Sequence, residues 1–187
     1  MNAEPPPSSL PPSSVPPPAA PPPPPSPSAP QPHVVHRITI APGIVPQLLA
    51  WHREAQGVEP CALLVGRLVK GGLTIESCKR VENVSGRPDR TFLIPPVELL
   101  AAEKAAREQG RTVVGTWHGH PEGPAWPSVS DGMGLAAATM RPGAAARPDW
   151  RPHAFLVSGQ GAGPALVVRA FVRRQGRPCE VPLLVDA

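Results

Sequence analysis

Apolar residues recur along this chain with two different periods, and the period changes where glycine or proline interrupts. Residues 34–40 (VVHRITI) alternate and predict a strand. Residues 43–55 (GIVPQLLAWHREA) carry helical spacing, with Pro46 in the first turn, where a missing N–H is tolerated. CALLVGRLV, then KGG, then LTIESCKRV predict a hairpin, with Gly71 and Gly72 expected to supply the positive φ of its turn. The polar loop SGRPD and a short strand RTFLI follow. Pro95 and Pro96 open a helix through VELLAAEKAAREQ that Gly110 closes, and Glu103 and Arg107 stand at i, i+4 on it. RTVVGTWHGH predicts a strand ending in two histidines, and SDGMGLAAATM a helix. Residues 141–152 predict a loop, and PHAFLVSG, ALVVRAFVRR and EVPLLV predict closing strands. No segment repeats. This order predicts a single α/β domain whose mixed, largely antiparallel sheet is flanked by two or three helices.

Composition changes the picture at one end. About half of the 31 prolines fall within residues 1–32, among Ser and Ala and almost no charge. Such a segment buries too little apolar surface to offset its ordering entropy, so 1–32 is expected to be a disordered proline-rich arm ahead of a domain over 33–187. The arm has neither a basic n-region nor an apolar h-region, so no secretory signal is expected. No later run is long and apolar enough for a membrane span. The net charge of +4 belongs to the domain, but its Arg residues are scattered, which predicts a solvated surface and no nucleic-acid partner. Cys61, Cys78 and Cys179 form no C-x-x-C pair, which argues against a disulfide framework or zinc knuckle and fits a reduced, cytoplasmic setting.

Candidate chemistry concentrates in residues 118–131, HGHPEGPAWPSVSD, where His118, His120, Ser128 and Asp131 stand at H-x-H-x7-S-x-x-D spacing. Two histidines two apart on a strand leave the same face with Cα atoms roughly 6.6 Å apart, close enough for two imidazoles to converge on one ion. Asp131, returning in the first turn of a helix, can add an oxygen ligand. Three protein ligands leave one position of a zinc ion open, which is the composition of a catalytic site and implies metal-assisted hydrolysis. Blander readings exist for each half: H-x-H as an ordinary strand edge, S-x-x-D as a helix cap. Together, four fixed types at fixed spacing match by chance on the order of once in several thousand chains of this size.

The segment resembles the JAMM (MPN+) metalloproteases, which carry H-x-H-x7-S-x-x-D preceded by a distant glutamate. Upstream, Glu59-Pro60-Cys61-Ala62-Leu63-Leu64-Val65-Gly66 resembles that family's E-x-C-G-L-L-x-G strand, and VVGTWHGHP resembles its strand entering the histidines. Asn83, RTFLI and the helix after Pro96 match the intervening layout, so the likeness spans roughly residues 35–185. Gly119 stands where Ser is common and Ala62 where Gly is common; neither is a ligand position. The resemblance implies an MPN fold of the cytidine-deaminase-like kind and one zinc ion held by His118, His120 and Asp131. It further implies Glu59 as general base and Ser128 as oxyanion donor. The implied substrates are ubiquitin-like or sulfur-carrier proteins ending in Gly-Gly, with an E1-like activating enzyme as a further partner. Two alternatives stand beside it: a non-catalytic MPN scaffold using the arm as bait, and a RadC-like DNA-repair-associated protein, whose H-x-H-P-x-G-x-x-x-P-S-x-x-D is also similar. Trp126 is expected to line the cleft or anchor the loop, Trp117 to face the core, and His52 to be structural or surface.

Overall fold

The computed structural model describes residues 34–128, 131 and 154–186. The arm expected over 1–32, all of the helix expected over 130–140 except Asp131, and the loop 141–152 lie outside them. The described elements are β1 (Arg37–Ile40), α1 (Ile44–Glu54), β2 (Cys61–Val69), β3 (Gly72–Val81), α2 (Pro96–Glu108) and β4 (Thr112–Pro124), followed by β5 (Ala154–Gln160), β6 (Leu166–Arg174), β7 (Arg177–Val181) and β8 (Leu183–Val185).

All the strands join one sheet in the order β7-β6-β5-β4-β2-β3-β1-β8. It is mixed, as expected: β2–β3, β2–β4, β5–β6 and β6–β7 are antiparallel, whereas β4–β5, β1–β3 and β1–β8 are parallel. EVPLLV, expected as one strand, is divided at Pro182. Proline has no N–H to give a ladder. Val181 pairs with Ala170 and Leu183 with Ile38, so a single residue connects the two ends of the sheet. A sheet whose ends are one residue apart must curl back on itself.

The curl encloses α1. Ile44 and Leu48, on one helical stripe, pack with Ile38, Leu64, Ile75, Trp117, Leu156, Val172 and Val181 from strands across the whole sheet. Complete burial of a side chain such as Leu48 contributes about 1.5–3 kcal/mol. On the other face, α2 sets Ala102 against Cys61, Leu63, Val81 and Val113. Strict alternation on β2, with Ala62 and Leu64 inward and Cys61 and Leu63 outward, serves both layers.

Two local expectations are corrected. Gly71 takes φ +73 in the β2–β3 turn, but Gly72 opens β3 in extended form, and its missing Cβ admits the Arg37 carbonyl, which would lie 2.8 Å from one. RTFLI joins no ladder. Its backbone groups bond instead to the Asn83 side chain and to Val84, whose N–H donates to the Leu93 carbonyl at 3.0 Å. Among the described residues no helix is long and apolar enough to cross a membrane, and the three cysteines are free.

Candidate metal centre

A β-bulge decides which way the histidines point. On β4, Gly115 pairs with Leu64 and Val113 with Val65, leaving Val114 without a partner between them. Unbroken alternation would place Val114, Thr116 and His118 on one face. The extra residue flips the strand, so Val114 and Trp117 both face the α1 core and His118 turns to the opposite side. There its ring is fully buried and stacks on Phe92, with centroids 4.4 Å apart and planes at 18°.

His120 follows on the same face. Its Nδ1 lies 2.9 Å from the Pro124 carbonyl. A carbonyl only accepts, so Nδ1 carries the hydrogen, and in the neutral ring Nε2 turns a lone pair inward. The Nε2 atoms of His118 and His120 are 3.1 Å apart, and Asp131 Oδ2 lies 3.3 Å from the first and 3.2 Å from the second. Zinc donors at 2.0–2.1 Å in a tetrahedron stand about 3.3–3.4 Å from one another. Three buried donors on a nearly equilateral triangle of that edge fit such an ion, and His118 Nδ1 has no hydrogen-bond partner among the described residues.

The S-x-x-D pair also closes a reciprocal hydrogen-bonded box. The Ser128 N–H donates to Asp131 Oδ2 at 2.6 Å, and the Asp131 N–H donates to Ser128 Oγ at 3.2 Å. This reciprocal box fixes the aspartate that faces the histidines, so the box and the donor set share one carboxylate. Ser128 itself is exposed, and its Oγ, accepting from Asp131, keeps its hydrogen for another acceptor.

Glu59 arrives through strand register. Cys61 pairs with His118 and the Gly119 N–H donates to the Pro60 carbonyl at 3.0 Å. Continuing that antiparallel register one more step sets Glu59 opposite His120, and Glu59 Oε1 is 4.0 Å from His120 Nε2. Glu59 is buried, and its Oε2 has no hydrogen-bond partner among the described residues.

The electrostatics follow from burial and the shared carboxylate. Burial pushes Glu59 up to about 7; His120 opposes this, and Asp131 and Asp89 add to it. A carboxyl poised there can take and return a proton near neutrality. For Asp131 burial works toward the neutral acid, but hydrogen bonds from His118, from His120 in its protonated form and from the Ser128 N–H outweigh it and hold the carboxyl well below the usual range. Burial depresses His118 despite Asp131, whereas Asp131 and the Pro124 carbonyl overcome burial and raise His120.

The structure thus brings Glu59, His118, His120, Ser128 and Asp131 to one place. Phe92 and the Pro124 carbonyl complete it without any signal in residue spacing. Trp126 has an anchor: its ring meets Phe171 edge-on at 5.0 Å, under the Arg169 guanidinium at 4.8 Å. Cys61 is a buried thiol pushed up to about 12 by burial and by Glu59, which leaves it unreactive.

Comparison with known proteins agrees with this architecture. The family described as prokaryotic homologs of the JAB domain matches residues 42–172. The chain is similar to the desampylase of Haloferax volcanii, 28% identical over 97 residues that cover 51% of this chain and 70% of that protein. It is 36% identical over 61 residues, 33% of this chain and 41% of the other, to a Thermus thermophilus protein named "Probable TtuB-protein conjugate cleaving protease". Among solved structures, one from Desulfitobacterium hafniense superposes with TM-score 0.64 at 25% identity, covering 80% of this chain and 92% of that one. One from Salinibacter ruber shares the fold, with TM-score 0.51 at 23% identity over 79% of this chain and 91% of that one. With a family match over well more than half its length on this fold, the chain belongs to the prokaryotic branch of the JAB-domain (JAMM/MPN+) family.

Proposed function

We propose that this chain is a zinc-dependent isopeptidase or peptidase that cuts after the C-terminal Gly-Gly tail of ubiquitin-like or sulfur-carrier proteins. The observation that carries the reading is the triangle of His118, His120 and Asp131 donors with the Glu59 carboxylate beside it. The names of the two relatives, a desampylase and a TtuB-conjugate cleaving protease, support the substrate class.

His118, His120 and Asp131 would hold the ion. When bound, zinc acidifies a water toward neutral pH and polarises the scissile carbonyl. Glu59 takes the proton of the attacking water at its carboxylate and returns it to the departing amine; its position opposite His120 suits both halves of that exchange. The Ser128 hydroxyl donates to the oxygen that gains charge, a contribution of about 3 kcal/mol in the transition state. Phe92 covers His118 and keeps water from its ring. β4 runs on past its last ladder pair with β2, His118 with Cys61, and its residues 121–124 are half-buried or exposed. That exposed length suits an extended glycine tail held by main-chain hydrogen bonds, which make no demand for large side chains.

The test is cleavage of ubiquitin-like fusions bearing Gly-Gly tails, with and without a chelator, by the full chain and by Glu59→Gln. Zinc-restored cleavage in the wild type, lost in the variant, is expected. Cleavage that survives chelation or the substitution rejects this mechanism, and a zinc-loaded chain that turns over no fusion returns the scaffold reading.

A further inference from the structure

Both backbone polar groups of Glu59 end on one loop. Residues 82–95 connect β3 to α2, and within them the Pro88 carbonyl accepts from the Glu59 N–H at 2.6 Å. The Glu59 carbonyl accepts from Asn83 Nδ2 at 2.9 Å. The second hydrogen of that amide goes to the Thr91 carbonyl at 3.0 Å. Asn83 Oδ1 accepts from the Ser85 N–H and the Leu93 N–H, each at 3.0 Å.

An amide has two donor hydrogens and two acceptor lone pairs, and all four are used here. Their destinations are not arbitrary. Thr91 and Leu93 flank Phe92, whose ring stacks on His118. One side chain therefore ties the backbone of Glu59 to the two residues that aim Phe92 at a zinc-donor candidate. Register brings Glu59 opposite His120, but Glu59 lies two residues ahead of β2, beyond the regular ladder, and both of its backbone polar groups are held by this loop.

We propose that Asn83 is a positioning residue that sets the carboxylate of Glu59 relative to the His118 ring through the Glu59 carbonyl and the Thr91–Leu93 backbone. This rests on the reading of Glu59 as the base; the geometric part, the clamp, stands apart from it. Asn83 touches none of His118, His120 or Asp131, so its loss should move the base and spare metal uptake.

The experiment uses Asn83→Asp in the full, zinc-loaded chain. The change keeps Oδ1 for Ser85 and Leu93 and replaces the donor facing Glu59 and Thr91 with an oxygen that repels their carbonyls. We expect zinc content to stay near one per chain, kcat on a Gly-Gly fusion to fall about 10–100-fold and KM to stay within about threefold. In a Glu59→Asp background, where the carboxylate is already displaced, the same change should cost several-fold less. A kcat within threefold of wild type, zinc lost together with activity, or an undiminished effect in the Glu59→Asp background overturns the proposal.

Hydrogen exchange supplies a readout free of activity. In the wild type both Asn83 side-chain amide hydrogens should exchange slowly, and in Asn83→Asp the Glu59 amide should exchange faster. Solvent-rate exchange of the wild-type side chain rejects the clamp even if no variant folds. Should the wild type cleave nothing, the enzymatic reading falls, while exchange at Asn83 and Glu59 still decides the clamp.

Discussion

A single methyl group added at Gly119 tests the architecture beneath the metal centre. Gly119 lies between the two histidines but faces the α1 side of β4, where an added Cβ would be 2.7 Å from His52 Nδ1 and 3.0 Å from both Ser158 Oγ and Pro60 Cγ. Those neighbours form a closed buried network. Trp117 Nε1 donates to Ser158 Oγ at 3.1 Å, so the hydroxyl spends its own hydrogen on His52 Nδ1 at 2.7 Å. His52 accepts as the neutral ring, its basicity lowered by burial and then by His120 and Arg53. Gly119→Ala must therefore move either the ring or the strand. Overpacking of this kind costs about 1–3 kcal/mol. If the ring swings aside, the buried hydroxyl loses its acceptor, at about 1–3 kcal/mol more. A loss of about 2–6 kcal/mol should lower Tm by roughly 5–20 °C in a domain of this size. The assay is thermal unfolding of metal-free Gly119→Ala, His52→Ala and the double variant. Because the methyl occupies space that His52 vacates, the double variant should be more stable than additivity allows by about 1–2 kcal/mol. A Gly119→Ala variant within about 0.5 kcal/mol of wild type, or strictly additive effects, would refute the reasoning. Gly119→Ser, although serine is common at this place in the family, should cost as much as alanine.

Three further outcomes are expected. Elemental analysis should find about one zinc per chain, and zinc at a hundredfold excess over Kd should stabilise by about 2.7 kcal/mol, raising Tm by roughly 5–10 °C; zinc retained by His118→Ala with His120→Ala would remove the donor assignment. Glu59 is raised from 4.5 to about 7 in the folded, metal-free protein, so its contribution is fully present below pH 4.5 and lost as pH rises through 7. Metal-free Glu59→Gln should accordingly gain Tm on wild type across that window, and a constant difference would contradict the burial argument. Ser128→Ala should keep zinc, lose about 1 kcal/mol with the hydrogen bond its Oγ accepts from Asp131 and lower kcat by about 10²–10³-fold; turnover within tenfold of wild type would exclude the hydroxyl from the reaction.

Much of this is legible in residue order because it is local. The α1 and α2 helices, the β2–β3 hairpin and the run from His118 to Asp131 are short-range patterns, and the reciprocal box between Ser128 and Asp131 needs only three residues of separation. RTFLI misled because its apolar content is that of a strand. Its backbone is satisfied by Asn83 and Val84 instead of a ladder, and no periodicity records that choice. EVPLLV misled for a related reason: Pro182 reads as a tolerable interruption until two different partner strands claim its two sides.

Residue order by itself determined the donor types, their spacing and the alternation that makes sheet and helix, since each depends on neighbours a few positions apart. Tertiary structure decided what those donors meet. The unpaired Val114 turns His118 away from the α1 core, the Cys61–His118 register sets Glu59 opposite His120, and the folded-over loop brings Phe92 and Asn83 to both. Each of these is a pairing across many residues. It is chosen by the packing of the whole sheet around α1, and no local period in the chain encodes it.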